Sequence, residues 1–239
     1  MPILEGEKIT KNFGGLAALL DVDFSIYEKE IVGLIGPNGA GKTTLFNIIS
    51  GAIPLKSGTV RFKGKPINGL SPNDICKRGI ARTFQLIKIF GYMTVYENVL
   101  MGALFGTSGK TSTREAAART RSLLEFMELA SYSNYIAKDL TFVNQKKVEV
   151  ARALATSPDL LMLDEFMAGL NQTEVMQGVE LVRKIRDRGI TVLMIEHVMT
   201  AIMSVCNRVI VLHHGEKIAE GTPVEIANNR SVIEVYFGE

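Results

Sequence analysis

The nine residues Gly36-Pro-Asn-Gly-Ala-Gly-Lys42-Thr43-Thr44 constrain this chain more than any other stretch. They separate an apolar run, Ile31 to Ile35, that reads as a strand from a run, Leu45 to Ser50, that reads as a helix. Gly36, four further residues and then Gly41-Lys42-Thr43 give the spacing of a phosphate-binding loop. From Gly36 through Pro37, Asn38, Gly39 and Ala40 to Gly41, short side chains let successive backbone N–H groups surround a polyphosphate. The helix that opens at the loop's end adds free donors and a favourable dipole. Lys42 is expected to reach the β- and γ-phosphates, and the Thr43 hydroxyl to ligate the bridging Mg²⁺, with Thr44 completing the loop. A strand feeding such a loop predicts an α/β fold.

A chain of 239 residues buries a sizeable core without covalent staples. Its two cysteines, Cys76 and Cys206, lack metal-type spacing, and a structural role in a reducing compartment is expected. Met1 to Lys8 does not have the form of a secretion signal, and no apolar run approaches the roughly 20 residues that span a bilayer. The formal net charge of +2, with both signs mixed along the chain, gives no electrostatic case for nucleic acid. Any membrane connection is expected to come through a partner.

Upstream of the loop, Ile3 to Thr10, Val22 to Tyr27 and Ile31 to Ile35 read as strands separated by turns at Gly14-Gly15 and Glu28 to Glu30. Phe13 stands where it can stack on an adenine ring. Downstream, Gly58 to Gly64 reads as strand and turn, Ser71-Pro72 as a helix start, and Ile80 to Phe84 as a strand with Gln85 at its end. Helical spacing then takes over in Thr94 to Leu104 and Arg114 to Leu129, which predicts a helical insert over about 86–150. Gly106 to Thr111 imitates a second phosphate loop, but position 104 is leucine where glycine is required, so a connection is expected. Val143 to Ala155 reads as a helix. Leu160 to Leu163 reads as a buried strand that ends in Asp164-Glu165, where an open parallel sheet binds its ligands. Beyond it come a helix, Glu174 to Arg188, and a strand, Thr191 to Ile195, with His197 just past its end. A hairpin over Arg208 to Ala219 turns at His213-His214-Gly215, and with no third ligand nearby an exposed turn is expected rather than a metal site. Two short helices close the chain.

In order and spacing these residues resemble the ATP-binding subunits of ABC transporters over essentially the whole chain. Gly36 to Thr44 is similar to that family's phosphate loop, Gln85 to its Q-loop glutamine and Leu160 to Glu165 to its Walker B strand. Ala168 to Asn171 is similar to its D-loop, and His197 to its switch histidine. Lys11 to Gly15, Arg82 to Gln85, Met93 to Asn98 and Ile195 to His197 resemble the ATPases of branched-chain amino acid importers. Lipopolysaccharide-export and urea-import ATPases are also similar. The resemblance implies a single domain over 1–239: a P-loop NTPase core of RecA-like form from 1–85 and 151–239 with an antiparallel β subdomain, and a helical subdomain over 86–150. It implies an ATPase using ATP and Mg²⁺, with Asp164, Thr43 and Gln85 serving the metal, Glu165 as general base, and Lys42, Gln85 and His197 completing the catalytic set. Transmembrane permease subunits and a second ABC ATPase are the implied partners, at the cytoplasmic face of the cell membrane.

The departure from the family lies at Leu140-Thr141-Phe142-Val143-Asn144, where Leu-Ser-x-Gly-Gln is usual. Thr141 keeps the hydroxyl and remains a candidate nucleotide contact. Val143 replaces a glycine with a β-branched side chain, which is expected to obstruct close approach of phosphate. Because the family pairs one chain's phosphate loop with the other's signature, an impaired signature favours a heterodimer. Phe166 and Val198 also depart from the usual proline and aspartate. An ATP-gated clamp without turnover is the competing class. A repair or translation ATPase would need a long coiled coil or a second ATPase unit, which the sequence lacks.

Overall fold

Strands β3 (Ile31–Ile35), β7 (Leu160–Asp164) and β8 (Thr191–Ile195) are fully buried along their length, as the strands of a parallel sheet covered on both faces must be. With β6 (Ile80–Arg82), β9 (Arg208–His213) and β10 (Glu216–Gly221) they form a six-stranded sheet in the order β10-β9-β3-β8-β7-β6. All neighbours run parallel except β10, which returns antiparallel on β9. A computed structural model describes residues 1–106, 109 and 111–237.

Alternation along each strand divides the apolar residues between two cores. Ile31, Leu161, Leu163, Val192 and Met194 join one cluster, together with the helices of the lower face. Val32, Leu34, Met162, Leu193 and Ile195 join the other, which also holds α1 (Lys42–Ile49) and a second sheet. That sheet is antiparallel, in the order β2-β1-β4-β5, from β1 (Pro2–Phe13), β2 (Leu16–Tyr27), β4 (Ser57–Phe62) and β5 (Lys65–Pro66). Helix α1 is therefore clamped between two sheets through Leu45, Phe46, Ile48 and Ile49.

Helix α2 (Pro72–Lys77) starts as its sequence demands, with Ser71 Oγ accepting the Asp74 N–H at 3.2 Å and proline at the first position. Between β6 and β7, among the described residues, stand the α-helices α3 (Val95–Phe105), α4 (Thr113–Phe126) and α5 (Phe142–Ala155). Reciprocal capping boxes at Thr94/Glu97 and Ser112/Glu115 fix where α3 and α4 begin. Helix α6 (Gln172–Asp187) opens with the same device at Asn171/Glu174. It is followed by α7 (Met199–Val205), α8 (Pro223–Ala227) and α9 (Arg230–Phe237).

Several expected boundaries move. β1 and β2 run right up to the Gly14-Gly15 turn, because strand pairing continues to Phe13 opposite Leu16. β6 stops at Arg82 rather than Phe84, and α4 ends at Phe126 with Glu128 in a left-handed conformation, φ 59°. Helix α7 was not anticipated: its N-cap, Val198, makes no side-chain cap bond and leaves no boundary signal. Of the segment that imitates a second phosphate loop, Gly106 caps α3, whereas Thr107, Ser108 and Lys110 lie outside the described residues. Cys76 and Cys206 are both free thiols, and burial pushes the Cys206 thiol up to about 12.

Candidate active site at the phosphate loop

Gly36 leaves β3 with φ 150°, and a side chain there would meet the Leu212 carbonyl at 2.1 Å. Gly41 caps α1 with φ 103° and passes so close to Ala18 that a Cβ would stand 2.5 Å from its carbonyl oxygen. Only glycine fits at both positions. The Lys42 ammonium is buried and donates to the carbonyls of Gly36 at 2.7 Å and Pro37 at 2.8 Å. Burial lowers its pKa, and the negative charges of Glu165 and Asp164 act against that shift. Thr43 stands exposed one residue further on.

Beside the loop lies a cavity of about 500 Å³, walled by Gly39 to Thr44 and, opposite, by Gln85, Glu165 and His197. Residues separated by more than a hundred positions meet here because β3, β7 and β8 are parallel neighbours ending at the same edge. Glu165 is held in a left-handed backbone conformation, φ 51°, which costs a non-glycine residue about 1–2 kcal/mol. Its carboxylate bridges two partners: Oε2 accepts from Gln85 Nε2 at 2.9 Å, and Oε1 lies 3.0 Å from His197 Nε2. Asp164, 3 % exposed, receives a 2.7 Å ion pair from Arg82 Nη2 on Oδ2. Arg82 also donates to Asn47 at 2.6 Å and to Ser50 at 3.0 Å.

Three groups here have a role at the site that motif spacing does not reveal. Arg82 is one. Glu196 is the second: it is 1 % exposed, accepts the Met167 N–H at 2.7 Å, and is pushed up to about 7 by burial. The third is His214: it is exposed, as expected, but in that hairpin turn His213 is half-buried and Gly215 buried, and His214 lines the cavity. Gly215 locks that turn to the loop, donating to the Ala40 carbonyl at 3.2 Å and accepting from Leu20 at 2.8 Å. The reverse holds for Phe13, which is 52 % exposed outside the cavity wall, its ring 5.2 Å from Lys11 Nζ. Leu16, Ala17 and Ala18, next in the chain across the turn, line the wall itself.

Thr141 caps α5, its hydroxyl accepting the Asn144 N–H at 3.4 Å. Val143 does not project freely from this helix start. It is half-buried and lines a small crevice with Phe166 and Leu170 of its own chain. The exposed bulk at that end is the Phe142 ring, beside Gly169.

Comparison with known proteins places this arrangement. A family profile described as "ABC transporter" matches residues 19–168. The Pseudomonas aeruginosa high-affinity branched-chain amino acid transport ATP-binding protein BraF is 39 % identical over 100 % of this chain and 98 % of its own.

The chain belongs to the ABC transporter ATP-binding family.

Within it, a profile described as "Branched-chain amino acid ATP-binding cassette transporter" matches residues 216–239. LivG of Escherichia coli, with the same printed activity as BraF, is 38 % identical over 100 % of this chain and 98 % of its own. The Haemophilus influenzae lipopolysaccharide export ATP-binding protein LptB is 32 % identical over the same shares. Among solved structures, the ADP conformation of the ABC cassette MJ1267 superposes with a TM-score of 0.91 at 33 % identity, covering 100 % of both chains. The dimeric cassette MJ0796 bound to ADP and Pi gives 0.82 at 28 % identity, covering 92 % of this chain and 98 % of that one.

As an ABC ATPase this chain offers what a nucleotide's phosphates need: a tight loop whose Gly36 and Gly41 admit no Cβ, a buried ammonium, and the N-terminus of α1. Among the described residues no three of His, Cys, Asp and Glu are grouped to hold a metal alone.

Proposed function

We propose that this chain is the ATP-hydrolysing motor subunit of an importer for branched-chain or other hydrophobic amino acids, bound peripherally at the cytoplasmic face of the membrane. The observation that carries the chemistry is the Glu165 carboxylate, fixed by Gln85 and His197 across the cavity from the phosphate loop. Glu165 serves as general base to water, Lys42 neutralises the β- and γ-phosphates, and His197 hydrogen-bonds the γ-phosphate. Thr43, Gln85 and, through water, Asp164 would hold Mg²⁺, which when bound would offset charge on the phosphates. Phe13 supplies the adenine with an aromatic surface. Phosphoryl transfer needs little beyond positioning and charge stabilisation, and these residues provide both.

Residues 86–150 form the helical subdomain within this reading, with 1–85 and 151–239 as the core. The segment from Arg82 to Asn98 docks on a permease subunit. Leu86 and Tyr92 expose 79 % and 84 % of their surface, and a cavity of about 470 Å³ opens beside them between Phe84, Phe90, Met101 and Phe105. The buried Asn98 side chain fixes this segment by bonding both the N–H and the carbonyl of Phe90, at 2.8 and 3.0 Å. Among the described residues no helix is long and apolar enough to cross a membrane, so the permease supplies the crossing. A second, related ABC ATPase completes the dimer.

The test is a complex purified with its permease and reconstituted in vesicles. Leucine uptake should require ATP and Mg²⁺ and vanish with chelator. Uptake of urea alone, or nucleotide binding without single-turnover hydrolysis, would overturn the reading. Cysteine pairs between 84–94 and the permease should cross-link, and their absence across the segment in an active complex would remove the docking site.

A further inference from the structure

We infer that Lys146 is a positioning residue for Glu165: its buried ammonium fixes the turn that carries the catalytic carboxylate and ties that turn to helix α5. This rests on the reading of Glu165 as general base.

Lys146 is 5 % exposed and lies in the second turn of α5, five positions after the cap at Thr141. Its Nζ donates to the carbonyls of Glu165 at 3.2 Å, Phe166 at 2.8 Å and Ala168 at 2.7 Å. An ammonium has three donors, and these contacts use them all. From the other side Glu196 Oε1 accepts the Met167 N–H at 2.7 Å. The turn is thus gripped by two buried side chains, its carbonyls by the Lys146 ammonium and its amide by a Glu196 carboxyl oxygen. Glu165 N–H is itself tied to the Ile195 carbonyl at 2.9 Å.

Such a grip answers a specific need. Glu165 sits at φ 51°, and a non-glycine residue stays there only where its surroundings over-determine the backbone. With the carbonyls of 165, 166 and 168 released, the peptide can relax toward an ordinary conformation and carry the carboxylate off its line. Lys146 belongs to a different element from β7, the strand that ends just before Glu165. It shares α5 with Thr141, whose neighbouring N–H groups open the helix, so a displacement of α5 is transmitted to the carboxylate through the ammonium. No other side-chain hydrogen bond to these three carbonyls is present among the described residues.

The test measures MgATP hydrolysis in the assembled complex for Lys146→Met, Lys146→Arg, Glu165→Gln and the double variant K146M/E165Q. K146M should lower kcat by about ten- to a hundredfold, the scale of an ångström-sized misplacement, with KM within about twofold. K146R should recover most of the loss, since a guanidinium also fans several donors. In the Glu165→Gln background K146M should cause no further fall, because both act through one carboxylate. Unchanged kcat, a rise in KM alone, equal damage from K146R, or multiplying losses in the double variant would each overturn the inference. If K146M does not melt as a folded protein, Lys146→Gln, which keeps an amide donor, is read by the same split. Near-normal turnover of Glu165→Gln alone sinks the general-base reading and this inference together, whereas a slow Glu165→Gln beside a normal K146M sinks this inference only.

Discussion

Arg82 Nη2 and Asp164 Oδ2 form a 2.7 Å ion pair in which the side chains are 8 % and 3 % exposed, directly beneath the phosphate loop. The guanidinium is boxed by the rings of Phe46 and Phe84, 5.5 and 5.1 Å from their centroids. Removing one partner of such a pair leaves a buried charge uncompensated. Arg82→Ala should therefore destabilise the chain by about 3–5 kcal/mol. Arg82→Lys should lose less, keeping the charge but not the contacts to both Asn47 and Ser50. Urea denaturation of the purified chain measures both, and a loss below about 1 kcal/mol for Arg82→Ala would show that the pair is not what holds Asp164.

Glu165→Gln preserves the shape of the side chain and a hydrogen-bonding oxygen while abolishing its basicity. Nucleotide binding should persist, and hydrolysis should fall by at least about a hundredfold. Binding is followed with a fluorescent ATP analogue and turnover by phosphate release. Turnover close to normal would remove Glu165 from the role of base.

Glu196 supplies a pH dependence whose sign follows from its raised pKa, about 7 against an ordinary 4.5. Below about pH 4.5 both folded and unfolded chains hold the proton, and the neutral carboxyl's contribution is fully present. As pH rises toward 7 the unfolded chain releases the proton first, so stability is progressively lost, by at most about 2–3 kcal/mol. Glu196→Gln carries no such titration. Its melting temperature relative to the parent chain should thus rise between pH 5 and about pH 8. A difference that stays flat across that range would show that Glu196 keeps its charge in the folded protein.

How far the sequence reveals this site depends on whether a residue's partner is near in the chain. The phosphate loop, Asp164-Glu165 and His197 each follow a short apolar strand, and parallel strands ending at one edge bring them together. Arg82 and Asp164 lie 82 positions apart, and Glu196 reaches back 29 positions to Met167, so neither spacing carries a pattern. Lys146 sits in a helix where a lysine reads as a solvated face until the turn at 165–168 is seen to fold over it. The His213-His214 pair shows the same limit. The spacing argues for a turn rather than a metal site, but it does not reveal that the two rings lie tilted with centroids 4.0 Å apart and that His214 lines the cavity beside the phosphate loop.

The signature segment gives the sharpest prediction. Leu140 to Asn144 opens α5 with Thr141 as its cap, and the hydroxyl is occupied by the Asn144 N–H, which leaves the first N–H groups of the helix to meet an anion. Val143 is half-buried and shares a small crevice with Phe166 and Leu170 of its own chain, and its β-branched side chain stands where the family has glycine. The exposed Phe142 ring adds bulk at the same helix end. In a homodimer this segment would face both nucleotides. In a heterodimer it faces one, while the ATP on this chain's own intact loop meets the partner's signature. Val143→Gly should accordingly raise ATPase of the complex, by up to about tenfold if the β-branch costs about one hydrogen bond to phosphate, with a loss of roughly 1 kcal/mol in helix stability. Size-exclusion with light scattering and ATPase assays, on the chain alone and with its partner ATPase, read the outcome. No increase for Val143→Gly, together with full activity of the chain alone as a homodimer, would sink both the impaired signature and the heterodimer.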